Sequence, residues 1–496
     1  MRSSSFFLSA AGCTLLLAGC ATGPRYVRPE TPVPSAYQMA PAVEARAATR
    51  TVGSTAQGQS DLVAWWRAFD DPLLAHLVER GLAQNLDLQQ AIARVAQSRA
   101  ALKGANAALL PSGQVTGQGG EAYQSTQTLV GRIGSAFPQF ERSMETYELD
   151  LGASWEIDLF GGRSAAREAA RAQWQASQAS AAATRLAVAA QIADTYVAIR
   201  MLQARLDVAR AQLDTQQQLV DLVKLQYAKG IAAERDLNQS EGALAQVRAS
   251  IPALQNQLDL AMHALDVLIG VQPGATQGEL AGKAGVPTAP AISTAGGPAD
   301  LLRRRPDIIA AERTLAATNA GIGVATSEYY PKLTLSGLLG TATTASSGLF
   351  SGGATQANGI FGLRWRLFDF GRVDAEIKAA KGRHAEALAA YRQTVLRASQ
   401  DVEDAFSTLV QQEARASTLA NGEASLAKAR DASMAAYRNG YASLIEVLEA
   451  DRRLLETRDS AIEAKAAAAR GAIASFRALG GGWNGATLPG ERLSLR

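Results

Sequence analysis

Side chains able to do catalytic chemistry are few and scattered in this chain. Histidine occurs three times, at His76, His263 and His384. These positions lie far apart on predicted helices, without the paired Cys/His spacing that a metal site requires. Gly282-Lys283 resembles a phosphate loop only briefly. Ala284 stands where a Ser or Thr is required, and no glycine occurs five residues before Gly282. Gly321-Ile-Gly323 lies within helix-like sequence rather than after a strand. These residues point away from an enzyme. What remains is a pair of carboxylates and a cysteine. Glu446 and Glu449 are three residues apart and so share one helix face. Threefold symmetry would gather six such carboxylates around one axis, a ring that favours cations and repels anions.

Cys20 closes the run Leu17-Ala18-Gly19-Cys20. Arg2 supplies a positive start, and residues 6 to 18 form an apolar run too short to span a membrane as a mature helix. Small residues before a cysteine read as a bacterial lipoprotein signal. Residues 1–19 are then the signal peptide, and Cys20 becomes the lipidated first residue of the mature protein. Cys13 falls in the removed segment, so no internal disulfide is expected. Ala21 rather than aspartate follows the cysteine, which in Gram-negative lipoproteins implies sorting to the outer membrane. No later stretch of about 18 apolar residues occurs, so any membrane crossing must use β-strands.

The 496 residues are 47% hydrophobic but only 6% aromatic, so alanine and leucine carry the apolar load. That balance suits long, closely packed helices. A net charge of +3, with both signs interspersed, gives no reason to expect nucleic acid as a partner.

The elements that would position the carboxylates occur twice. Trp155-Glu-Ile-Asp-Leu-Phe160-Gly161 reads like Trp365-Arg-Leu-Phe-Asp-Phe370-Gly371. Tyr227-Ala-Lys-Gly230, followed by Asp236 and Gln239, reads like Tyr437-Arg-Asn-Gly440, followed by Glu446 and Glu449. Both pairs are offset by about 210 residues; upstream the offset is about 220, with Asp87 matching Asp307 and Pro111 matching Pro331. One unit is therefore duplicated in tandem. Residues 20–60, rich in Pro, Ala, Ser and Thr, read as an extended lipid-anchored tether. The first copy covers 61–270, a Gly/Pro-rich linker 271–300, the second copy 301–480, and a tail 481–496.

Within each copy the same order is expected. A helix starts at Asp71-Pro72 and runs to Leu110, where Pro111 stops it. A weak strand follows, then a polar, glycine-bearing loop from Gly117 to Pro138. Next comes a strand with Tyr147, Leu149, Leu151, Ala153, Trp155, Ile157 and Leu159 on one side and Glu148, Asp150, Glu156 and Asp158 on the other. In the second copy, Leu333, Leu335 and Leu339 alternate with Lys332, Thr334 and Ser336. Phe361, Leu363, Trp365 and Leu367 then alternate with Gly362, Arg364 and Arg366. Strands of this kind suit a wall between lipid and water, with Trp155 and Trp365 as membrane-interface aromatics. Residues 164 to 227 hold no proline or glycine. Their seam of Val188, Ile192, Ile199, Leu202, Leu206, Val220 and Val223 has coiled-coil spacing, and the helix reaches roughly 95 Å. Shorter helices follow at 232–269, with Pro252 inside, and after Asn439-Gly440. Arg303-Arg-Arg-Pro306-Asp307 opens the second copy as a helix start whose arginines read as a solvated charge patch, with a contact to a partner protein as the alternative.

Four strands cannot seal themselves in lipid. Each open edge exposes backbone polar groups at several kcal/mol apiece, and bacterial barrels begin at about 8 strands. Two chains give eight strands and three give twelve. The glycines and charges on the polar face suggest a wet lumen, which favours three.

Several stretches carry a family resemblance: Gly23-Pro24-Arg-Tyr26-Val-Arg-Pro29, Trp65-Trp66-Arg-Ala-Phe69-Asp-Asp71-Pro72, Asn85-Leu-Asp87-Leu, Trp155 to Gly161, Arg304-Arg305-Pro306-Asp307-Ile308 and Phe368-Asp369-Phe370-Gly371-Arg372. Over nearly the whole mature chain the sequence resembles the TolC-like outer membrane factor family, in its lipoprotein branch of OprM- and NodT-like efflux proteins. The resemblance implies a mainly α fold with a membrane β-barrel. A homotrimer would share a twelve-stranded barrel, four strands per chain, continuous with a long α-helical coiled-coil tunnel in the periplasm. It implies a passive duct for small molecules such as drugs, a periplasmic adaptor (membrane fusion) protein, and an inner-membrane pump of the resistance-nodulation-division type. No cofactor is implied beyond the lipid on Cys20. The family's tunnel closes at its inner end, and the matching positions here are Tyr437, Gly440, Glu446 and Glu449, with Asp236 and Gln239 as the weaker first-copy half. The competing reading is a lipid-anchored coiled-coil outer membrane protein without a pore, which has no use for strands with one charged face.

Overall fold

The computed structural model describes residues 22–51, 62–282, 284–293 and 297–483. Cys20, its signal peptide and most of the 481–496 tail lie outside the described residues. The chain divides into two compact units. Unit 1 holds residues 1–29, 96–175 and 312–390; unit 2 holds 30–95, 176–311 and 391–496.

Unit 1 is built on one antiparallel sheet of four strands in the order β1-β2-β3-β4. These are β1 (Ser112–Tyr123), β2 (Ser143–Ile157), β3 (Lys332–Thr343) and β4 (Thr355–Arg364). Each copy contributes one hairpin, and β2 with β3 joins them. β1 extends through Gly117, Gly119 and Gly120 to Tyr123, where a loop was expected. The glycines pair with Leu149, Tyr147 and Thr146, and the Leu149 and Tyr147 side chains cover Gly117 and Gly119. β4 ends at Arg364, so Trp365 and Leu367 lie past the strand.

The leader motif has a structural explanation within unit 1. Tyr26 donates to the buried Glu312 carboxylate at 2.5 Å, Asn319 donates to the Pro24 carbonyl at 2.9 Å, and Thr22 donates to the Phe160 carbonyl at 3.0 Å. A Cβ on Gly23 would come within 2.6 Å of the Gly323 Cα. Gly323 is thus a close-approach glycine for this extended leader.

Unit 2 is helical. α1 (Ala40–Thr51) falls inside the stretch expected to be extended. Its alanines are strong helix formers, and the leader is fastened here rather than free. Tyr37 is 5% exposed and meets Phe406 edge-on at 5.6 Å, and Arg46 forks onto Glu413 at 2.5 and 2.9 Å. The helix expected from Asp71 to Leu110 is two helices, α2 (Pro72–Gln84) and α3 (Leu86–Ala107). Asn85 breaks it. Its side chain accepts from Leu88 N–H at 2.8 Å and donates to the Leu268 carbonyl at 2.8 Å, offering the backbone a cap in place of a continued helix. Asp71 caps α2 through Leu73 and Leu74 N–H and also accepts from the Tyr196 hydroxyl at 2.7 Å. Trp65 stacks on Phe476 at 5.5 Å.

The long helices are α5 (Gly162–Ala228), α6 (Glu234–Ile269), α10 (Arg372–Arg438) and α11 (Leu444–Ala478). The short α4 (Leu129–Gly134) lies between β1 and β2, and α7 (Gln277–Leu280), α8 (Gly297–Arg304) and α9 (Pro306–Ser327) follow one another between α6 and α10. The seam on α5 is buried as expected at Ile192, Ile199, Leu206, Val220 and Val223. Ala189, Ala193, Tyr196 and Val197 are buried too, so the apolar stripe is wider than two positions per heptad. Arg305, expected on a solvated patch, is 8% exposed. Its guanidinium bridges Asp307 at 2.7 Å and Asp401 at 2.9 Å, and donates to the Ala398 and Ala478 carbonyls.

Candidate functional site

The duplicated turns end α5 and α10. Gly230 and Gly440 adopt φ of +71° and +78°, left-handed values that a Cβ disfavours, and each lets the chain reverse into the next helix. Leu219 and Val223 of α5 pack with Leu444 and Val447 of α11 in one buried cluster, flanked by Leu237, Met434 and Tyr437. The Tyr437 hydroxyl donates to Gln226 Oε1 at 2.7 Å, tying one copy's turn to the other's. Burial first, then the Asp236 carboxylate, raise the Tyr437 phenol above its ordinary value. Thus Tyr437, Gly440 and Asp236 are brought together. Tyr227, the repeat of Tyr437, is 44% exposed.

Glu446 and Glu449 both have local partners. Glu446 completes a capping box with Ser443, whose N–H donates to it at 3.2 Å and whose hydroxyl donates at 2.9 Å; these bonds hold its carboxyl below the usual range. Asp236 occupies the same third position of α6, accepting from Ala233 N–H at 3.4 Å. Glu449 accepts from Arg452 at 2.8 Å and Arg453 at 2.8 Å, and the two guanidiniums lower its carboxyl to about 2. Its charge is matched on its own helix, so Glu446 carries the charge that no nearby cation matches among these contacts. Gln239, exposed on α6, adds none.

Asp451 is a residue that sequence reasoning missed. It lies on α11, is 3% exposed, and neither carboxyl oxygen has a hydrogen-bond partner. Arg430 Nε is 3.8 Å away. Burial pushes the Asp451 carboxyl upward, assisted by Asp431 and opposed by Arg430 and Arg458. A folded pKa above the unfolded one means that the folded chain holds this proton more tightly. The associated stability is full below the unfolded carboxylate value and is lost as pH rises through the raised folded value. Asp451→Asn should therefore raise the thermal midpoint at pH 7.5, by the equivalent of about 1 kcal/mol. Its advantage over the parent should shrink as pH falls towards 4; a constant difference would exclude the linkage.

In the sheet, cross-strand partners put side chains on a common face. Val115, Leu151, Leu339 and Ala357 form one row across all four strands, and Trp155, Leu335 and Phe361 form another. That face is exposed: Val115 is 68% accessible, Leu151 54%, Leu339 57% and Phe361 65%. The opposite face carries Gln118 bonded to Glu148 at 2.6 Å, Gln356 bonded to Asp150 at 2.9 Å, and the Ser154–Ser336 pair. Trp155 and Trp365 do equivalent work in the two copies. Their indole N–H groups donate to the Leu109 carbonyl at 2.9 Å and the Tyr329 carbonyl at 3.0 Å, pinning a strand end to a helix end. Arg366 pairs with Glu328 at 3.0 Å. Among the described residues no helix is long and apolar enough to cross a membrane.

A duplicated helical chain whose single sheet is apolar and exposed on one face and polar on the other is a protomer of an outer-membrane channel. The comparisons agree with that class. The chain belongs to the outer membrane efflux protein family, which it matches over residues 77–271 and 297–481, one stretch in each copy. It is 32% identical to nodulation protein T of Rhizobium leguminosarum bv. trifolii over 483 residues, 95% of this chain and 96% of that one. It is 30% identical to the pyoverdine export outer membrane protein OpmQ of Pseudomonas aeruginosa, covering 96% of this chain and 97% of the relative. Among solved structures, the outer-membrane channel OprN superposes with a TM-score of 0.81 at 30% identity, over 94% of this chain and all of that one.

Proposed function

We propose that three copies of this chain close a twelve-stranded barrel in the outer membrane and form, with their long helices, a passive duct for small molecules. Cys20 anchors each copy by a covalent lipid. A periplasmic adaptor joins the duct to an inner-membrane pump of the resistance-nodulation-division type, which supplies the driving force and selects the cargo. The turns at Gly230 and Gly440 form the inner aperture, with Tyr437, Gln226 and the Leu219–Val447 cluster holding it shut, and with Glu446, Glu449, Asp236 and Gln239 around its rim. Trp155 and Trp365 mark a membrane interface.

The observation that carries this reading is the sheet: its apolar face is exposed, and β1 and β4 are both open edges. In lipid such edges cost several kcal/mol per unpaired group, which closure with further copies removes. A coiled-coil scaffold without a pore leaves this surface and the polar face unexplained.

Purified trimer in planar bilayers should conduct, with cations preferred. Glu446→Gln should lower that preference more than Glu449→Gln, because Arg452 and Arg453 already match the Glu449 charge. Glutamine retains a side-chain oxygen for the Ser443 cap, so Glu446→Gln tests charge rather than folding. Absence of current would remove the duct; equal effects of the two variants would remove the assigned charge balance.

A further inference from the structure

Two constant shifts relate the copies: β1 maps to β3 by 220 residues, as Pro111 to Pro331, and β2 maps to β4 by 210, as Trp155 to Trp365. The hairpins obey them. Ser112 opposite Ser154 becomes Lys332 opposite Arg364, and Val115 opposite Leu151 becomes Leu335 opposite Phe361; both pairs occur. The Trp155 and Trp365 bonds repeat under the same shifts, since Leu109 becomes Tyr329. The remaining junction, β2 with β3, links the end of one copy to the start of the other. Advancing it by one copy carries β2 to β4 and β3 to the β1 of a second chain.

We infer that β4 of one chain pairs antiparallel with β1 of the next in a defined register, the one that repeats the β2–β3 junction. Ala153 opposite Gly337 becomes Leu363 opposite Gly117; Leu151 opposite Leu339 becomes Phe361 opposite Gly119; Ser154 opposite Ser336 becomes Arg364 opposite Thr116. This register keeps the apolar positions of both strands on one face. It also sets two exposed bulky side chains, Phe361 at 65% and Leu363 at 62%, over two glycines of an edge strand. Bulky cross-strand cover of this kind stabilises strand glycines. On their other side the same glycines are covered by Tyr147 and Leu149 of their own chain.

A second contact follows from the same operation. Within the chain, Phe160 at the start of α5 stacks on Tyr330 beyond the end of α9, at 4.7 Å and 17°. The shifted pair is Phe370 with Leu110 of the next chain. Phe370 is 96% exposed and Leu110 65%. Phe370 also holds a φ of +52°, an uncommon value for an aromatic residue, which costs energy unless a contact repays it.

This inference rests on the trimer reading, and the test separates the two. The only cysteines are Cys13 and Cys20, so new thiols can be placed without an internal competitor in the mature chain. β1 and β4 lie at opposite edges of one chain's sheet, so a disulfide between them reports a contact between chains. Full-length lipoprotein carrying Thr116→Cys with Arg364→Cys, or Gly117→Cys with Leu363→Cys, is oxidised in outer membranes and run on denaturing gels. Two successive pairs are used because narrow and wide pairs alternate along an antiparallel ladder. The slipped controls are Gln118→Cys with Arg364→Cys, and Gln114→Cys with Arg364→Cys. A slip of two residues moves the thiols by about 7 Å, beyond disulfide reach. Cross-linked oligomers from at least one in-register pair, at no less than about fivefold the yield of both slipped pairs, are expected. Leu110→Cys with Phe370→Cys should link chains as well. Native mass of the uncrosslinked parent is measured alongside. A trimer that links only through a slipped pair, or through none, overturns the register and leaves the trimer standing. A monomer overturns both.

Discussion

Arg305→Ala is expected to cost the protein about 3 kcal/mol, because the guanidinium makes several charge-assisted bonds at once. The side chain is fixed between Pro306, which starts α9, and the α10 and α11 helices: it bridges Asp307 and Asp401 and donates to the Ala398 and Ala478 carbonyls. Removing it leaves the α11 carbonyl at Ala478 without this donor, and it removes the only counter-charge shown between Asp307 and Asp401 in these contacts. Both carboxylates are partly exposed, at 40% and 48%, so water compensates part of their loss. The two carbonyl bonds and the lost packing make up the rest. Arg305→Lys keeps the charge but presents one compact ammonium in place of a planar fork, so it should recover less than half of the loss. Denaturant unfolding of the helical signal measures both variants. A loss below about 1 kcal/mol for the alanine variant would show that the bridge is dispensable.

The parts of this chain legible in the sequence are those whose signal is local and repeated. Period two from Tyr147 to Ile157 is enough to identify β2, and its face assignment holds because one-residue slips invert every side chain. The uninterrupted helix-forming run after Gly161 gives α5 to within two residues at its start. The turns at Gly230 and Gly440 follow from a duplicated Tyr-x-x-Gly. Local signals fail where a distant partner decides. Asn85 looks like an ordinary helix-interior residue until the Leu268 carbonyl is brought beside its amide. β1 is weak in sequence because its glycines rely on Leu149 and Tyr147 of β2 for cover. Arg305 looks solvated because Asp401 and Ala478 are remote in the chain. Asp451 gives no warning at all, since its burial depends on how α10 and α11 pack. The Glu449 pairing is different: Arg452 and Arg453 stand three and four residues on, a helical spacing that predicts it directly. The candidate rim was therefore legible as a set of positions, while its charge balance needed attention to the arginines beside them.

Val447→Asp is expected to unlatch the proposed inner aperture. Val447 is fully buried among Leu219, Val223 and Leu444, and those contacts join α5 of the first copy to α11 of the second. A carboxylate at that position must either stay buried, at several kcal/mol, or reach water by parting the two helices. Parting is the cheaper response at a helical turn, where few other contacts must break. The hydrogen bond from Tyr437 to Gln226 is too weak to prevent it, since one such bond contributes about 1 kcal/mol net. Tyr437→Phe alone should shift the closed-to-open ratio by only about fivefold, whereas Val447→Asp should shift it by about a thousandfold or more. Single-channel recording distinguishes the two: severalfold higher conductance for Val447→Asp, and brief, infrequent openings for Tyr437→Phe. The sheet belongs to unit 1 and the cluster to unit 2, so the variant should keep its strand content and trimeric mass while the current rises. Parent-like conductance from such an intact trimer would place the constriction somewhere other than the Gly230 and Gly440 turns.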